Sequence, residues 1–465
     1  MKYVSTRGNA PDLGFRDALL TGLARDGGLY VPQEWPQFST EEVRSHCSAP
    51  YAEVAKTILR PFVEGEIDPA TFDQMIDEAY ATFHHPAVAP LVQIDHDQWV
   101  LELFHGPTLA FKDVAMQLLA RMMDHVLAER GERATIVGAT SGDTGGAAIE
   151  AFRSMQNIDM FILFPKGRVS PVQQRQMTSV DAPNVHPLCI EGDFDDCQAL
   201  VKSMFNHMAF RDEVKLSGVN SINWGRIMAQ IVYFFTAASA LGAPDRKVSF
   251  TVPTGNFGDI FAGYCAKRMG LPIDRLIIAT NTNDILTRTL DSGRYETRSV
   301  VATASPSMDI QVSSNFERLL FEASDRDAGS VNTMMSSLSQ SGAFQLEGST
   351  LATIRNEFDA GAVDEETTAS TIASTLSRSG YLLDPHTAVG VKTASNKSEA
   401  GMPMVTLATA HPAKFPDAVS KACGVTPALP QWQGDLMNRR ESFTVLKPEL
   451  EAVEEHIRTS ARINA

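Results

Sequence analysis

The chain is 465 residues long, 43% hydrophobic and 21% charged, with a formal net charge of −16. That balance builds large buried cores and does not fit a disordered chain. The negative charge argues against a general nucleic-acid binder or a membrane-surface protein, since both rely on basic patches.

A length of this order corresponds to roughly two to four domains. The N-terminal stretch MKYVSTRGNAPDLGF has no apolar core of the signal-peptide type. Residues 1–98 read as a mainly helical region. Within them, segments 40–63 and 68–83 place apolar residues at three-to-four spacing, with Thr40 and Asp68 as expected N-caps. Prolines in HHPAVAPLVQID interrupt that pattern, and adjacent His84 and His85 do not face one another on a helix, so no metal site is expected there.

From Trp99 onward short apolar runs alternate with helical stretches. ATIVGA (134–139), MFILFP (160–165), VHPLCI (185–190), VSFTVP (248–253), RLIIAT (275–280) and MVTLAT (404–409) are expected strands. Apolar runs of this length between helices predict parallel sheets covered on both faces. The expected organisation is α/β: a smaller sheet domain over 99–225 and a larger one over 226–465. The run IVYFFTAASALGA (231–243) is too short to span a bilayer and reads as a buried helix. Cys47, Cys189, Cys197, Cys265 and Cys423 form no CxxC pair. They read as reduced thiols of a cytoplasmic protein.

In parallel sheets of this kind ligands bind beyond the carboxyl ends of the strands. Three such loops carry candidate chemistry. GATSGDTGG (138–146) offers the hydroxyls of Thr140, Ser141 and Thr144, with glycines that gather backbone N–H groups at a helix start, suited to a carboxylate or phosphate. It reads equally as an ordinary glycine-rich turn. PTGNFGD (253–259) allows close backbone approach at Gly255 and Gly258 before a helix, a candidate phosphate cup; the plainer reading is a turn capped by Asp259. ATAHPAKFPDAV (408–419) brings Thr409 and His411 toward the same crevice, although a lone histidine is more often structural. No GxxxxGK[ST], HExxH or GxSxG pattern occurs, and no strict GxGxxG followed by an acidic residue.

A fourth stretch, LFHGPTLAFKDVAM (103–116), places Lys112 between a Gly-Pro turn and an apolar helix. Taken alone, such a lysine is a solvated helix start. Its companions change the reading. HGPTLAFKD, GATSGDTG, PTGNFGD and TAHPAKF, with YVSTRG…FRDALLTGLARDGGLYVP, PKGRVSPVQQRQM, SINWGRI and LLDPHTAVG, resemble the threonine synthase family in its longer bacterial–fungal form. The matches run in the family's order over nearly the whole chain.

The resemblance implies the tryptophan-synthase-β-like fold of pyridoxal 5′-phosphate (PLP) enzymes, fold type II. It makes Lys112 the lysine that carries PLP as an imine. It assigns the cofactor phosphate to Gly255, Asn256, Phe257 and Gly258, and the pyridine nitrogen to Thr409. Thr140, Ser141 and Thr144 are then expected at the substrate carboxylate. Asp143 joins the substrate-binding set, at a position where many relatives carry Asn near the cofactor's phenolic oxygen. Ser221, Asn223, Arg226 and Lys166 are expected at the substrate phosphate.

The implied reaction is conversion of O-phospho-L-homoserine and water to L-threonine and phosphate, by a monomer or weak homo-oligomer with no nucleic-acid or membrane partner. The alternatives are a related phospho-lyase that releases a 2-oxo acid and a non-catalytic protein that keeps the fold. A lysine amine has an ordinary pKa of about 10.4 and needs burial or nearby positive charge to act as a base near neutrality.

Overall fold

A computed structural model describes residues 1–462. Two sheets organise it. The larger has six strands in the order Phe358–Ala362, Ile273–Thr280, Val248–Pro253, Met404–Ala408, Gln98–Glu102, Leu91–Asp95. All neighbours run parallel except the outermost pair, Leu91–Asp95 against Gln98–Glu102. The smaller is wholly parallel, in the order Thr444–Leu446, Val185–Ile190, Ile158–Pro165, Ala134–Ala139, Leu216–Ser217.

Every residue of Val248–Pro253 and of Ile158–Pro165 is buried, which is why these strands read as unbroken apolar runs rather than alternating ones. Three expected strands have the expected bounds: Ala134–Ala139, Val185–Ile190 and Val248–Pro253. Two others begin two residues earlier, at Ile158 and Ile273, and the last ends at Ala408. The strands of the two main sheets begin at Leu91 rather than Trp99, because Leu91–Asp95 and Gln98–Glu102 form an antiparallel hairpin, and a short antiparallel pair, Tyr3–Ser5 with Tyr30–Pro32, lies earlier in the mainly helical N-terminal region.

Sheet membership does not follow three consecutive spans. Gln98–Glu102 joins the larger sheet, while Thr444–Leu446 returns to the smaller one. The C-terminal helix Leu450–Ser460 also packs there, burying Val453 and Ile457 against Val137, Phe161 and Leu188. A strand's sheet is set by its hydrogen-bonding partner and not by its place in the sequence.

The 17-residue helix Trp224–Ala240 is buried along nearly its whole length, packed on helices Tyr51–Val63, Lys112–Arg130 and Gly258–Arg268. It holds most of the expected 231–243 segment. The N-terminal region packs on it. Helix Pro69–Tyr80 starts at Asp68, whose carboxylate accepts the Thr71 N–H at 3.0 Å, as expected. Segment 40–63 is not one helix: it breaks at 46–50 ahead of Tyr51–Val63, and its first cap is Ser39, not Thr40. Ser39 and Glu42 exchange backbone and side-chain bonds in a capping box, so the oxygen one residue earlier takes the N-cap place.

Candidate active site

The lysine loop is built around Asp113. Its carboxylate accepts the Thr108 N–H at 2.7 Å and the Thr108 hydroxyl at 2.6 Å, closing the turn ahead of helix Lys112–Arg130. A Cβ on Gly106 would lie 2.6 Å from the Asp113 side chain, so this position requires glycine. Burial pushes the Asp113 carboxyl up to about 6, against the Thr108 bonds. The loop is stitched to the 408–411 segment. The N–H of Phe111 donates to the Thr409 carbonyl at 2.8 Å, and that of His411 to the Leu109 carbonyl at 3.0 Å. These bonds set Lys112 beside Thr409, whose side chain is buried.

The Lys112 side chain is itself buried. Its Nζ donates to Ser307 Oγ at 3.2 Å and lies 3.5 Å from Asp143 Oδ2. The other oxygen of Asp143 is 2.9 Å from Lys414 Nζ and accepts from Gln173 Nε2 at 2.9 Å. Lys414, fully buried, also donates to the Thr108 carbonyl at 2.7 Å. Burial alone would raise the Asp143 carboxyl. The charges of Lys414 and Lys112, with the Gln173 bond, outweigh it and hold the group well below the carboxylate range. For Lys112, burial together with the charges of Lys414 and Arg226 outweighs Asp143 and lowers the amine.

Arg226 adds a third buried cation. It donates to the Val219 carbonyl at 3.2 Å, its Nε has no partner, and no carboxylate pairs with it among the described residues. Burial brings its guanidinium down to about 10. Three cations, with Asp143 between two of them and Asp113 acting on Lys414, leave an excess of positive charge suited to phosphate-bearing ligands.

Two glycine loops face this cluster. At the first, Thr140 Oγ1 accepts the N–H groups of Gly142 and Gly145 at 3.0 and 2.9 Å, which folds the chain into helix Asp143–Phe152. Gly142 has φ 142°, and a Cβ there would meet Gln173 at 2.4 Å. Ser141 and Thr144 remain half-buried at its rim. At the second, Phe257 adopts φ 62° and buries its ring against Phe316 and Phe358. Helix Gly258–Arg268 starts there.

The carbonyls of Gly255 and Asn256 in this second loop are taken up by protein donors. Gly255 accepts the Ser313 hydroxyl at 2.6 Å, and Asn256 accepts both the N–H and the Nδ2 of Asn315 at 3.0 and 2.9 Å. The N–H groups of Gly255, Asn256 and Phe257 meet no protein acceptor among the described residues. Free amides at a helix start form an anion cup. Asp259 does not cap this turn. It is buried, accepts the Tyr233 hydroxyl, and is pushed up to about 7 by burial.

Other expected residues fall differently. Ser221 is half-buried, and its carbonyl accepts from Asn315 at 3.2 Å. Asn223 caps helix Trp224–Ala240 by accepting the Gly225 N–H at 2.9 Å, and donates to the Leu19 carbonyl at 2.8 Å, so both ends of its amide are engaged. Lys166 is not brought to the cluster. It follows the last residue of Ile158–Pro165, is 56% exposed and pairs with Glu191 at 2.7 Å. His411 accepts the Ala413 N–H at 3.1 Å, and burial pushes its ring down to about 4, so it is a neutral structural cap.

Sequence reasoning passed over Lys414, Gln173, Ser307 and Asn315. The first two lie in quoted motifs, TAHPAKF and PKGRVSPVQQRQM, and a search for a second lysine and an amide near Asp143 would have reached them. Ser307 and Asn315 lie in a coil-rich stretch with no periodicity to mark them.

Three family models match the chain in succession. They are described as threonine synthase N terminus over residues 2–80, pyridoxal-phosphate dependent enzyme over 83–409, and threonine synthase, C-terminal, over 387–457. The chain is 55% identical over 456 residues to threonine synthase of Pseudomonas aeruginosa, covering 98% of this chain and 97% of that protein. Its fold matches the crystal structure of PLP-bound threonine synthase from Brucella melitensis with a TM-score of 0.98 at 69% identity, over 99% of this chain and 100% of the other. For the threonine synthase structure from yeast the TM-score is 0.94 at 39% identity, over 99% and 98%.

Proposed function

The chain belongs to the threonine synthase family, and we propose that it converts O-phospho-L-homoserine and water to L-threonine and phosphate with PLP as cofactor. The observation that carries this reading is the buried Lys112 amine, set against the carboxylate of Asp143 and reached by the charges of Lys414 and Arg226.

The residues fit the cofactor. The unpaired amides of Gly255, Asn256 and Phe257, at the start of helix Gly258–Arg268, suit its phosphate. Lys112 is the amine for its aldehyde, and the Thr409 hydroxyl is the neutral group for its ring nitrogen. When bound, PLP supplies an electron sink for the carbon bearing the amino group.

The rest of the chemistry falls to the chain. Overall, Cβ exchanges a hydrogen for the hydroxyl of water, Cγ loses phosphate and gains a proton, and the hydrogen at Cα is removed and returned. Lys112 takes and returns these protons; burial and the nearby cations lower its pKa, so that more of the free base is present near neutrality. Asp143, kept ionised by Lys414, gives the protonated amine a counter-charge. Thr140, Ser141 and Thr144 receive the substrate carboxylate at the start of helix Asp143–Phe152. Arg226 draws the phosphate from Cγ, with Ser221 at the edge; Asn223 serves by fixing the start of the Arg226 helix.

We place the enzyme in the cytoplasm as a monomer or weak homo-oligomer, a compartment supported by five cysteines that are all free thiols. Among the described residues no helix is long and apolar enough to cross a membrane. The test is product analysis: purified protein with PLP and O-phospho-L-homoserine is expected to yield threonine and phosphate in equal amounts. Stoichiometric 2-oxobutyrate instead of threonine would replace this reading with the phospho-lyase.

A further inference from the structure

Lys112 Nζ has a hydroxyl partner that belongs to none of the loops discussed above. Ser307 sits in the 3-10 turn Pro306–Met308 and accepts from Lys112 at 3.2 Å, while its Oγ lies 3.5 Å from Asp143 Oδ2. It therefore closes a triangle with the amine and the carboxylate, which are 3.5 Å apart. We propose that Ser307 is a further catalytic hydroxyl that aims the Lys112 amine, and that His386 is the positioning residue that sets Ser307 in place.

The placement of Ser307 is held from several sides. Its N–H donates to His386 Nε2 at 3.2 Å. A backbone N–H can only donate, so Nε2 is the accepting nitrogen and the ring proton resides on Nδ1. That proton goes to Asp384 Oδ1 at 2.9 Å. Asp384 is fixed in turn as the N-cap of helix Pro385–Lys397, accepting the N–H groups of His386 and Thr387. The His386 ring is buried and packs 4.8 Å from that of Phe415, the residue after Lys414.

On the other flank, Asp309 accepts the Thr303 N–H at 2.9 Å and Asn281 Nδ2 at 2.8 Å, closing the 303–309 loop against the end of strand Ile273–Thr280. The Ser307 carbonyl meanwhile fills the space a Cβ on Gly255 would need. One residue thus touches the cofactor cup through its carbonyl, the base through its hydroxyl and the Asp384–His386 pair through its N–H.

The chemical consequence follows from hydrogen-bond strength. An ammonium donates a stronger bond to Ser307 Oγ than a neutral amine does, so the hydroxyl favours the charged form and offsets part of the burial. It also fixes which way the lone pair of the free amine points. The other charged groups that act on Lys112 are Asp143, Lys414 and Arg226, and the variants below leave all three in place.

The inference rests on Lys112 being the reactive amine, and its test reads that amine without turnover. The rate at which cofactor-free protein captures PLP, followed by absorbance across pH, has a midpoint that reports the Lys112 amine. Ser307→Ala is expected to lower that midpoint by about one pH unit, since a bond to a charged group is lost. Ser307→Thr, which keeps the hydroxyl, leaves it within a few tenths. His386→Phe, which keeps the ring against Phe415 but has no acceptor, shifts it in the same direction as Ser307→Ala. His386→Gln, whose amide oxygen can accept the Ser307 N–H, restores the parent value.

Unchanged midpoints in folded Ser307→Ala and His386→Phe, or a His386→Gln value that follows His386→Phe, overturn the inference and leave the proposed reaction standing. Should His386→Phe fail to fold, the Ser307 pair decides the hydroxyl's role and His386→Leu supplies the acceptor-free comparison. Capture at a lysine other than Lys112 in the parent protein overturns both the inference and the assignment of the base.

Discussion

The Nζ of Lys414 lies 2.9 Å from Oδ1 of Asp143, with both side chains buried. Lys112 approaches the opposite oxygen at 3.5 Å. A lysine outside the lysine loop thus keeps the carboxylate ionised next to Lys112. Lys414→Met strands a buried charge and is expected to cost about 3 kcal/mol. The folded Asp143 carboxyl is depressed, so its contribution is present above the ordinary value of 3.8 and lost as pH falls below it. Urea unfolding should therefore show the full deficit at pH 7 and pH 5, narrowing below about pH 4. A deficit that is absent at pH 7 contradicts the pairing.

Arg226 has the opposite balance. It is buried with one carbonyl bond and, among the described residues, an unpartnered Nε and no carboxylate partner. Replacing such a charge by an apolar side chain of similar length is often stabilising, by about 1 to 2 kcal/mol. Arg226→Met is expected to raise the Tm of the cofactor-loaded protein while removing the further rise that inorganic phosphate gives the parent. That ligand-dependent rise corresponds to about 2.7 kcal/mol at a hundred times Kd. A thermal shift series with and without phosphate reads both effects, and a phosphate response that survives in the variant rules out Arg226 as a phosphate ligand.

Two glycines of the 253–259 loop, the proposed cofactor cup, predict different outcomes. A Cβ on Gly255 would come within 2.6 Å of the Ser307 carbonyl oxygen, a backbone atom, whereas one on Gly258 would meet Ile227 Cδ1 at 3.3 Å, the end of a flexible side chain. Gly255→Ala should weaken PLP affinity at least tenfold and cost about 1 to 3 kcal/mol in stability. Gly258→Ala should be milder on both counts. Equilibrium titration of the two apoproteins with PLP compares them directly.

Asp259 makes the stability of the fold depend on pH. Burial raises its carboxyl to about 7, and a raised folded-state pKa means stability fully present below the ordinary value of 3.8 and lost as pH rises through 7. Asp259→Asn is neutral throughout and escapes that loss. Its stability relative to the parent is expected to grow by about 2 kcal/mol between pH 5 and pH 8. A difference independent of pH would show that Asp259 is ionised in the fold.

Much of this was legible in the chain. The buried strands announced themselves as apolar runs because parallel sheets are covered on both faces, and the Gly-rich loops at 138–146 and 253–259 followed from the strand ends. Lys112 became meaningful only through its companion motifs. What stayed hidden depends on contacts between distant segments. Ser307 reaches Lys112 across 195 positions, and Lys414 reaches Thr108 across 306. Lys166 misled because its place after a strand end resembles that of a ligand, while the chain turns it outward to Glu191. Asn223 misled because a helix cap uses the same side chain as a phosphate ligand would.

The central claim is that Lys112, and not the second buried lysine beside Asp143, carries the cofactor and moves the protons. Reductive trapping of the PLP-loaded protein with borohydride, followed by peptide mass spectrometry, tests it most directly. The account predicts one pyridoxyl label per chain, on Lys112, and no label and no threonine formation in folded Lys112→Ala. A label on Lys414, or near-normal threonine formation by Lys112→Ala, would contradict it.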